Sequence, residues 1–528
     1  LRFNLRNPSS FQSSTMERIK MSEFSIVDAL PRTENNVRRL AHARPADWQN
    51  PKPAALYNLV VIGGGSAGLL AAIVAASLGG KVALIEKHMM GGDCLNVGCV
   101  PSKAIIRSAK VMGEIMAAHK FGIETNGATV HFDQVMERIR RVQADISHVD
   151  SVQRYTQAGV DVFLGEGRFV DQDTLAIDGA PIRFKKALIA TGSRPYHPVI
   201  PGLQEAGFLT NESVWNLMEQ PKRLAVIGGG PIGCELAQAF RRLGSAVALF
   251  HNAGHVLNRE DADAAAIVQN TFLREGIQLV LNSQVKQVTQ GEEAKVIHYE
   301  CPAGADSLVV DEILVATGRS PNIEGLGLEV VGVNADNRQG VMVNDYMQTS
   351  NPRIYAAGDV AMKYKFTHAA AAAAKMVVQN ALFYGHKKLS DLYVPWCTYT
   401  DPEIAHVGIY AHEAEEQGVA LDTFTFHFDE NDRAVADGEE EGFVKVHTKK
   451  GGDKILGATI VARQAGDMIN EITLAMVAGI GLKTIGEVIH PYPTQAEAIA
   501  RVAGLYTRTR LTPTVQKLFN GWMAFNRR

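Results

Sequence analysis

Cysteine is scarce: five residues in a chain of 528, too few for a secreted scaffold stapled by disulfides, which predicts a reducing compartment, the cytoplasm. Net charge is scarce as well. With 53 basic and 56 acidic side chains the formal charge is only -3, so neither nucleic acid nor an anionic membrane is expected as the main partner, and a small molecule is the default. Long apolar runs are missing. Ser77, Gly79, Gly80 and Lys81 interrupt the most hydrophobic stretch before it reaches the roughly 18 residues that cross a bilayer, which predicts a soluble protein. What remains is an ordinary globular balance, 46% hydrophobic and 21% charged, in a chain long enough for about three domains.

The first 54 residues are frequent in Pro, Asn, Ser and Arg and weak in hydrophobic periodicity. They look like an extension, an arm or upstream start being favoured over a transit peptide.

Beyond them the chain repeats one unit. Leu59-Val60-Val61-Ile62 runs into Gly63-Gly64-Gly65-Ser66-Ala67-Gly68 and an Ala-rich helical stretch; Leu224-Ala225-Val226-Ile227 runs into Gly228-Gly229-Gly230-Pro231-Ile232-Gly233 and a second one. Each reads as strand, glycine turn, helix. Gly63 and Gly228 permit the tight turn, Gly65 and Gly230 let a diphosphate approach the backbone, and Gly68 and Gly233 let the helix pack on the strand with its N-terminus toward the negative charge. One such turn is weak evidence; two in the same context predict two dinucleotide sites.

The strand ends separate the nucleotides. Lys81 to Ile85 ends at Glu86, whose carboxylate can accept from a ribose 2′-hydroxyl and suits the adenosine of FAD. Ala246 to Phe250 ends at His251, with Arg259 following, and groups that do not repel a 2′-phosphate favour NADPH, with NADH the alternative. A solvated strand end is the bland reading of His251.

Between the turns lies Met90-Gly91-Gly92-Asp93-Cys94-Leu95-Asn96-Val97-Gly98-Cys99-Val100-Pro101-Ser102-Lys103. A helical pattern begins near Cys99 with Pro101 in its first turn, so Cys99 sits at a helix N-terminus, where that position and Lys103 favour a thiolate. A metal site competes with a redox disulfide. The pair supplies only half of a tetrahedral zinc shell, so the disulfide is favoured and no metal ligands are assigned. Cys234, Cys301 and Cys397 read as buried, inert thiols.

This segment resembles the redox-active run of the class I pyridine nucleotide-disulfide oxidoreductases, which include dihydrolipoamide dehydrogenase, glutathione reductase and mercuric reductase. Ala190-Thr191-Gly192-Ser193-Arg194-Pro195 and Ala316-Thr317-Gly318-Arg319-Ser320-Pro321-Asn322 resemble the strand ends of that family's FAD and NAD domains, and Tyr355-Ala356-Ala357-Gly358-Asp359-Val360 resembles its second FAD motif. The resemblance implies an α/β fold of two Rossmann-like FAD and NAD(P) domains, glutathione-reductase-like, with an α+β C-terminal dimerisation domain. It implies an extension over 1–54, an FAD domain over 55–208 resuming over 333–390, an NAD(P) domain over 209–332, an interface domain over 391–505 and a C-terminal amphipathic helix over 506–528.

It also implies roles. Cys99 would face the flavin and Cys94 the substrate; Lys103 would lie near the flavin; Thr191, Gly192, Ser193, Gly318 and Asp359 would serve the cofactors, Asp359 holding the ribityl chain. In a homodimer the far end of the interface domain completes the partner's site. There disulfide reductases of the family carry a catalytic histidine, whereas His490-Pro491-Tyr492-Pro493-Thr494-Gln495-Ala496-Glu497 aligns Tyr492 with it, Glu497 keeping its place and His490 lying two residues earlier. Tyrosine is a poor base near neutrality. Mercuric reductases share that tyrosine, yet no cysteine follows Cys397 to supply their C-terminal metal-relay pair. The expectation is therefore a mercuric-reductase-like flavoenzyme of redox homeostasis, with a disulfide or metal ion as acceptor. A dihydrolipoamide dehydrogenase-like enzyme and an FAD-binding thiol sensor without turnover are the alternatives. For His490 a packed interface histidine is weighed equally. At the C-terminus, Val515, Leu518, Phe519, Trp522 and Met523 recur at helical spacing among basic residues. A helix folded back on its own dimer is favoured there over one lying on a membrane surface.

Overall fold

Residues 30–292 and 294–527 are described by the structure, a computed structural model. Glu34–Ala43 forms helix α1, capped by the Thr33 hydroxyl, which accepts from the Asn36 amide. The apolar run Tyr57–Ile62 becomes strand β1, followed by helix α2 (Ser66–Ser77) and strand β2 (Val82–Glu86). β1 and β2 pair in parallel, Leu59 opposite Val82 and Ile62 opposite Ile85. Parallel strands covered on both faces read as continuous apolar runs, and every residue of β2 is buried. The sheet runs 160–164, β2, β1, 180–189, 174–177, 167–171, and 354–356 pairs with 180–189 from outside that path. One face packs against α2 and a later helix through Ala71, Ala75, Ala373 and Val377; the other buries Val60, Ile85, Phe163 and Phe184.

Two helices carry the chain between the nucleotide units. The short α3 (Gly92–Asn96) holds Cys94, and α4 (Cys99–Ala117) starts at Cys99 with Gly98 as its N-cap. α5 (Phe132–Ser147) packs against both α1 and α4.

The second unit repeats the first with strand β3 (Arg223–Ile227), helix α6 (Pro231–Arg242) and strand β4 (Ala246–Phe250). Its four strands run 278–280, β4, β3, 312–315, all parallel, with a three-stranded antiparallel sheet over 284–310 beside them. Both glycine turns lie at the carboxyl ends of their first strands, the edge at which open α/β sheets bind ligands. Helix α7 (Thr367–Phe383) then returns the chain to the first unit.

The last quarter builds a five-stranded antiparallel sheet from 396–398, 403–408, 455–462, 443–449 and 421–427. Ala465–Ala478 and helix α8 (Glu497–Thr509) cover it through Ile469, Ile472, Ile499 and Val502. Helix α9 (Pro513–Phe525) follows, and its apolar stripe finds no cover among the described residues of its own chain: Leu518, Phe519, Trp522 and Met523 are all exposed. Among the described residues no helix is long and apolar enough to cross a membrane.

Candidate active site

The first glycine turn is built by steric demand. Gly63 has φ +110°, and a Cβ at Gly68 would lie 1.8 Å from the Gly63 carbonyl oxygen, so only glycine lets α2 pack this closely on β1. Glu86, at the end of β2, turns its buried carboxylate onto this turn. Its Oε2 accepts the Gly64 amide at 2.6 Å and its Oε1 the His88 amide at 2.6 Å. Burial pushes the carboxyl pKa upward, and the two amides oppose that shift. The second turn repeats the geometry, a Cβ at Gly233 meeting the Gly228 oxygen at 1.9 Å while Gly230 faces open space. His251 occupies the position of Glu86, its Nδ1 accepting the Gly229 amide at 3.2 Å. It is buried, not a solvated strand end, and burial lowers its pKa, keeping the imidazole neutral at pH 7.

A cavity of about 630 Å³ joins the two units. Gly63, Gly65 and Glu86 line one end, and Thr191, Gly192, Ser193 and Asp359 line another part. Cys94, Cys99 and Lys103 also line it, as do Ile232 and Glu235 from the start of α6. An elongated dinucleotide fits this arrangement: a glycine cradle and helix N-terminus for the diphosphate, a carboxylate at the ribose end, and thiols where a reactive ring would lie. The Ser193 hydroxyl donates to Asp359 at 2.7 Å, and Arg319 pairs with Asp359 at 3.6 Å and with Asp93 at 2.8 Å. Thr191 donates its hydroxyl to the Asn322 carbonyl at 2.6 Å, and Gly318, at φ +132°, offers its carbonyl to the Tyr196 amide.

The two thiols are free and within hydrogen-bonding reach of each other. They are not equivalent. Donation from the Cys94 thiol, followed by Thr367 and Lys103, outweighs burial and holds the Cys99 pKa down to about 6. The same bond, seen from its donor, and burial push Cys94 upward. The Thr367 hydroxyl, in the first turn of α7, lies 3.5 Å from Cys99 Sγ. Lys103 Nζ is fixed by Glu235 of α6 at 2.8 Å and sits 4.3 Å above the Tyr399 ring. Sequence reading missed Thr367, Glu235, Asp93, Arg319 and Tyr399. It also treated the remaining thiols alike, but only Cys234 is fully buried, while Cys301 and Cys397 are half-buried and Cys397 lines the cavity.

Tyr492, His490 and Glu497 do not line this cavity of their own chain. Tyr492 is 70% exposed, and its hydroxyl donates to Asp432 at 2.8 Å, a hydrogen bond that raises the phenol pKa. His490 Nε2 lies 3.0 Å from Glu471, and Glu497 opens α8, 3.8 Å from Arg501. The signal that could have found Asp432 is absent from the local pattern, because Tyr492 reaches it across 60 residues.

Comparison with known proteins agrees with this architecture. Residues 57–374 match the family model described as pyridine nucleotide-disulphide oxidoreductase, and residues 394–503 match its dimerisation domain. The mercuric reductase of Staphylococcus aureus is 35% identical over 450 residues, covering 85% of this chain and 82% of that protein. The dihydrolipoyl dehydrogenase of Geobacillus stearothermophilus is 34% identical, covering 84% and 95%. Among solved structures, the Cu(II) complex of the HOCl-induced flavoprotein disulfide reductase RclA from Escherichia coli superposes with a TM-score of 0.76 at 27% identity, covering 86% of this chain and all of that one. A thiol sensor without turnover does not account for these relatives, which are enzymes. With the two glycine turns, the shared cavity and the paired thiols, these matches show that the chain belongs to the pyridine nucleotide-disulphide oxidoreductases, homodimeric enzymes that use FAD and NAD(P)H.

Proposed function

We propose that this oxidoreductase takes reducing equivalents from NADPH and passes them through Cys94 and Cys99 to a metal ion or a disulfide, in the manner of a mercuric reductase. The observation that carries the reading is the placing of the two thiols together, Cys99 at the N-terminus of α4 with the Thr367 hydroxyl 3.5 Å away and Cys94 within hydrogen-bonding reach, in a cavity whose lining suits a dinucleotide. FAD, when bound, supplies hydride transfer between the pyridine nucleotide and the dithiol.

The protein's own part is binding, orientation and thiol acidity. Gly63, Gly65 and Gly68 with the N-terminus of α2 hold the FAD diphosphate, Glu86 its ribose, and Thr191, Gly192, Ser193 and Asp359 the remainder. Gly228, Gly230 and Gly233 with His251, and Gly318 at the neighbouring strand end, serve the nicotinamide nucleotide. Cys99 faces the flavin as thiolate, sustained by Thr367 and Lys103. Cys94 meets the acceptor. With a disulfide acceptor, Cys94 gives its proton to the hydrogen-bonded Cys99 thiolate, attacks one sulfur and expels the first thiolate, which takes that proton; Cys99, again a thiolate, then attacks Cys94, releasing the second thiolate to solvent protons and restoring the Cys94–Cys99 bond. With a metal, both sulfurs serve as ligands.

Tyr492, Glu497 and His490 come from the partner subunit. With Asp432 raising its pKa, Tyr492 remains a phenol at neutral pH and acts by donating a hydrogen bond, not by removing a proton. Disulfide exchange needs protons moved to each leaving thiolate, whereas thiolate capture of a soft metal does not, which favours the metal acceptor. Few cysteines and a dithiol that must stay reducible fit the cytoplasm. An acceptor panel with the purified dimer tests the proposal. Mercuric or cupric ions should support NADPH oxidation well above oxidised glutathione or lipoamide, and efficient turnover of either disulfide would contradict it.

A further inference from the structure

Residues 33–50 lie before the matched segment, which begins at 57, yet they grip the backbone that joins the two cofactor landmarks, Glu86 and the cysteine pair. Arg44 donates from one nitrogen to the carbonyls of Lys87 and His88, at 2.8 and 2.7 Å. The Met90 amide donates to the Ala43 carbonyl at 3.0 Å. Farther on, Arg39 reaches the Asn96 carbonyl at 3.5 Å, and Gln143 of α5 donates to the carbonyls of Leu95 and Asn96 at 3.0 and 2.7 Å. Leu95 and Asn96 stand between Cys94 and Cys99.

Arg39 is the unusual member. It is 2% exposed and makes no ion pair among the described residues. One terminal nitrogen donates to Asn36 Oδ1 at 3.1 Å, and its Nε has no partner. Asn36 is held in turn by the Pro31 carbonyl at 2.8 Å. Removing a cation from water without a counter-charge is expensive, and a fold that needed only packing here would place an aliphatic side chain. The guanidinium instead lies at the last carbonyl of α3, the negative end of that helix. α1 is itself anchored on α5 by the Arg38–Asp145 ion pair at 2.6 Å and by His42 with Ser147 at 2.8 Å.

We propose that α1 is a clasp on the disulfide loop and that Arg39 is its positioning residue, setting the stability of the Cys94–Cys99 bond without touching substrate or cofactor. The inference rests on the reading of that pair as the working disulfide. Closing a disulfide depends on how often the two thiols meet, so a loop pinned at Leu95 and Asn96 from two sides raises their effective concentration and stabilises the bond. Loosening one side makes the bond easier to reduce.

The test is equilibration of the full-length FAD dimer in graded dithiothreitol buffers, read by mass shift after alkylation of Cys94 and Cys99. In Arg39→Leu the equilibrium constant for holding the disulfide should fall about tenfold, or about 30 mV for a two-electron couple. Arg39→Lys, which keeps the cation, should stay within twofold of the parent. Asn36→Ala, which frees one side of the guanidinium, should fall between them and serves if Arg39→Leu does not fold. A purely structural role would lower the Tm of these variants while leaving the equilibrium constant within twofold, which overturns the proposal. A parent enzyme with no Cys94–Cys99 disulfide in any buffer would instead overturn the reading on which it rests.

Discussion

The Gly229 amide donates to Nδ1 of His251 at 3.2 Å, where in the other nucleotide unit the Gly64 amide donates to the carboxylate of Glu86 at 2.6 Å. One backbone geometry thus carries two different groups at the strand end proposed to face the ribose. The carboxylate would repel a 2′-phosphate, and the neutral imidazole does not.

His251→Glu should therefore move the coenzyme preference toward NADH. The ratio of kcat/KM for NADPH over NADH is expected to fall about tenfold or more, about 1.4 kcal/mol in relative transition-state binding. Steady-state rates with both coenzymes measure it, and an unchanged ratio would remove His251 from the nucleotide site.

Thiolate chemistry at Cys99 should have a defined pH dependence. A pKa lowered to about 6 means the thiolate is populated above that pH and lost by protonation below it. The thiolate-to-flavin charge-transfer absorbance of the two-electron-reduced enzyme should rise with pH through about 6. Thr367→Val removes one hydrogen bond to the charged form and should shift the midpoint upward by about one unit, since such bonds contribute about 1.5 kcal/mol or more.

The proposed sharing of the site between subunits predicts complementation. Cys94→Ser and Tyr492→Phe homodimers should both be impaired. Random heterodimers of the two contain one site with an intact Cys94 from one chain and an intact Tyr492 from the other, so an equimolar refolded mixture should recover about a quarter of parental activity. No recovery above the two homodimers would put Tyr492 outside the partner's site.

The exposed stripe of α9 is expected to pack on the second copy. Deleting residues 512–528 should weaken the dimer measurably in sedimentation equilibrium while leaving each protomer folded. A truncated dimer of parental stability, with loss of binding to anionic vesicles instead, would favour the membrane-surface alternative.

Much of the fold was legible because its signals are local. Both glycine turns, the strand ends at Glu86 and His251, and the start of α4 at Cys99 are set by neighbours within a few residues. What stayed illegible is long-range. Thr367 meets Cys99 across 268 residues, and Glu235 meets Lys103 across 132, contacts that no periodicity announces. α1 escaped for another reason: its buried face carries Asn36 and Arg39, so a hydrophobic pattern could not reveal that it is packed. The stripe of α9 shows the reverse: its apolar residues recur at helical spacing over Pro513–Phe525, yet that side is uncovered among the described residues of one chain.

The central claim, that electrons pass through Cys94 and Cys99 beside the flavin, is tested most directly by anaerobic titration of the FAD dimer with NADPH, followed by absorbance and by thiol alkylation. The first two electrons should produce a charge-transfer band and two new alkylatable thiols at Cys94 and Cys99; Cys99→Ser should abolish the band, and Cys94→Ser should show it before any reductant is added. Bleaching of the flavin in a single step, with no band and no thiol uncovered, would contradict it.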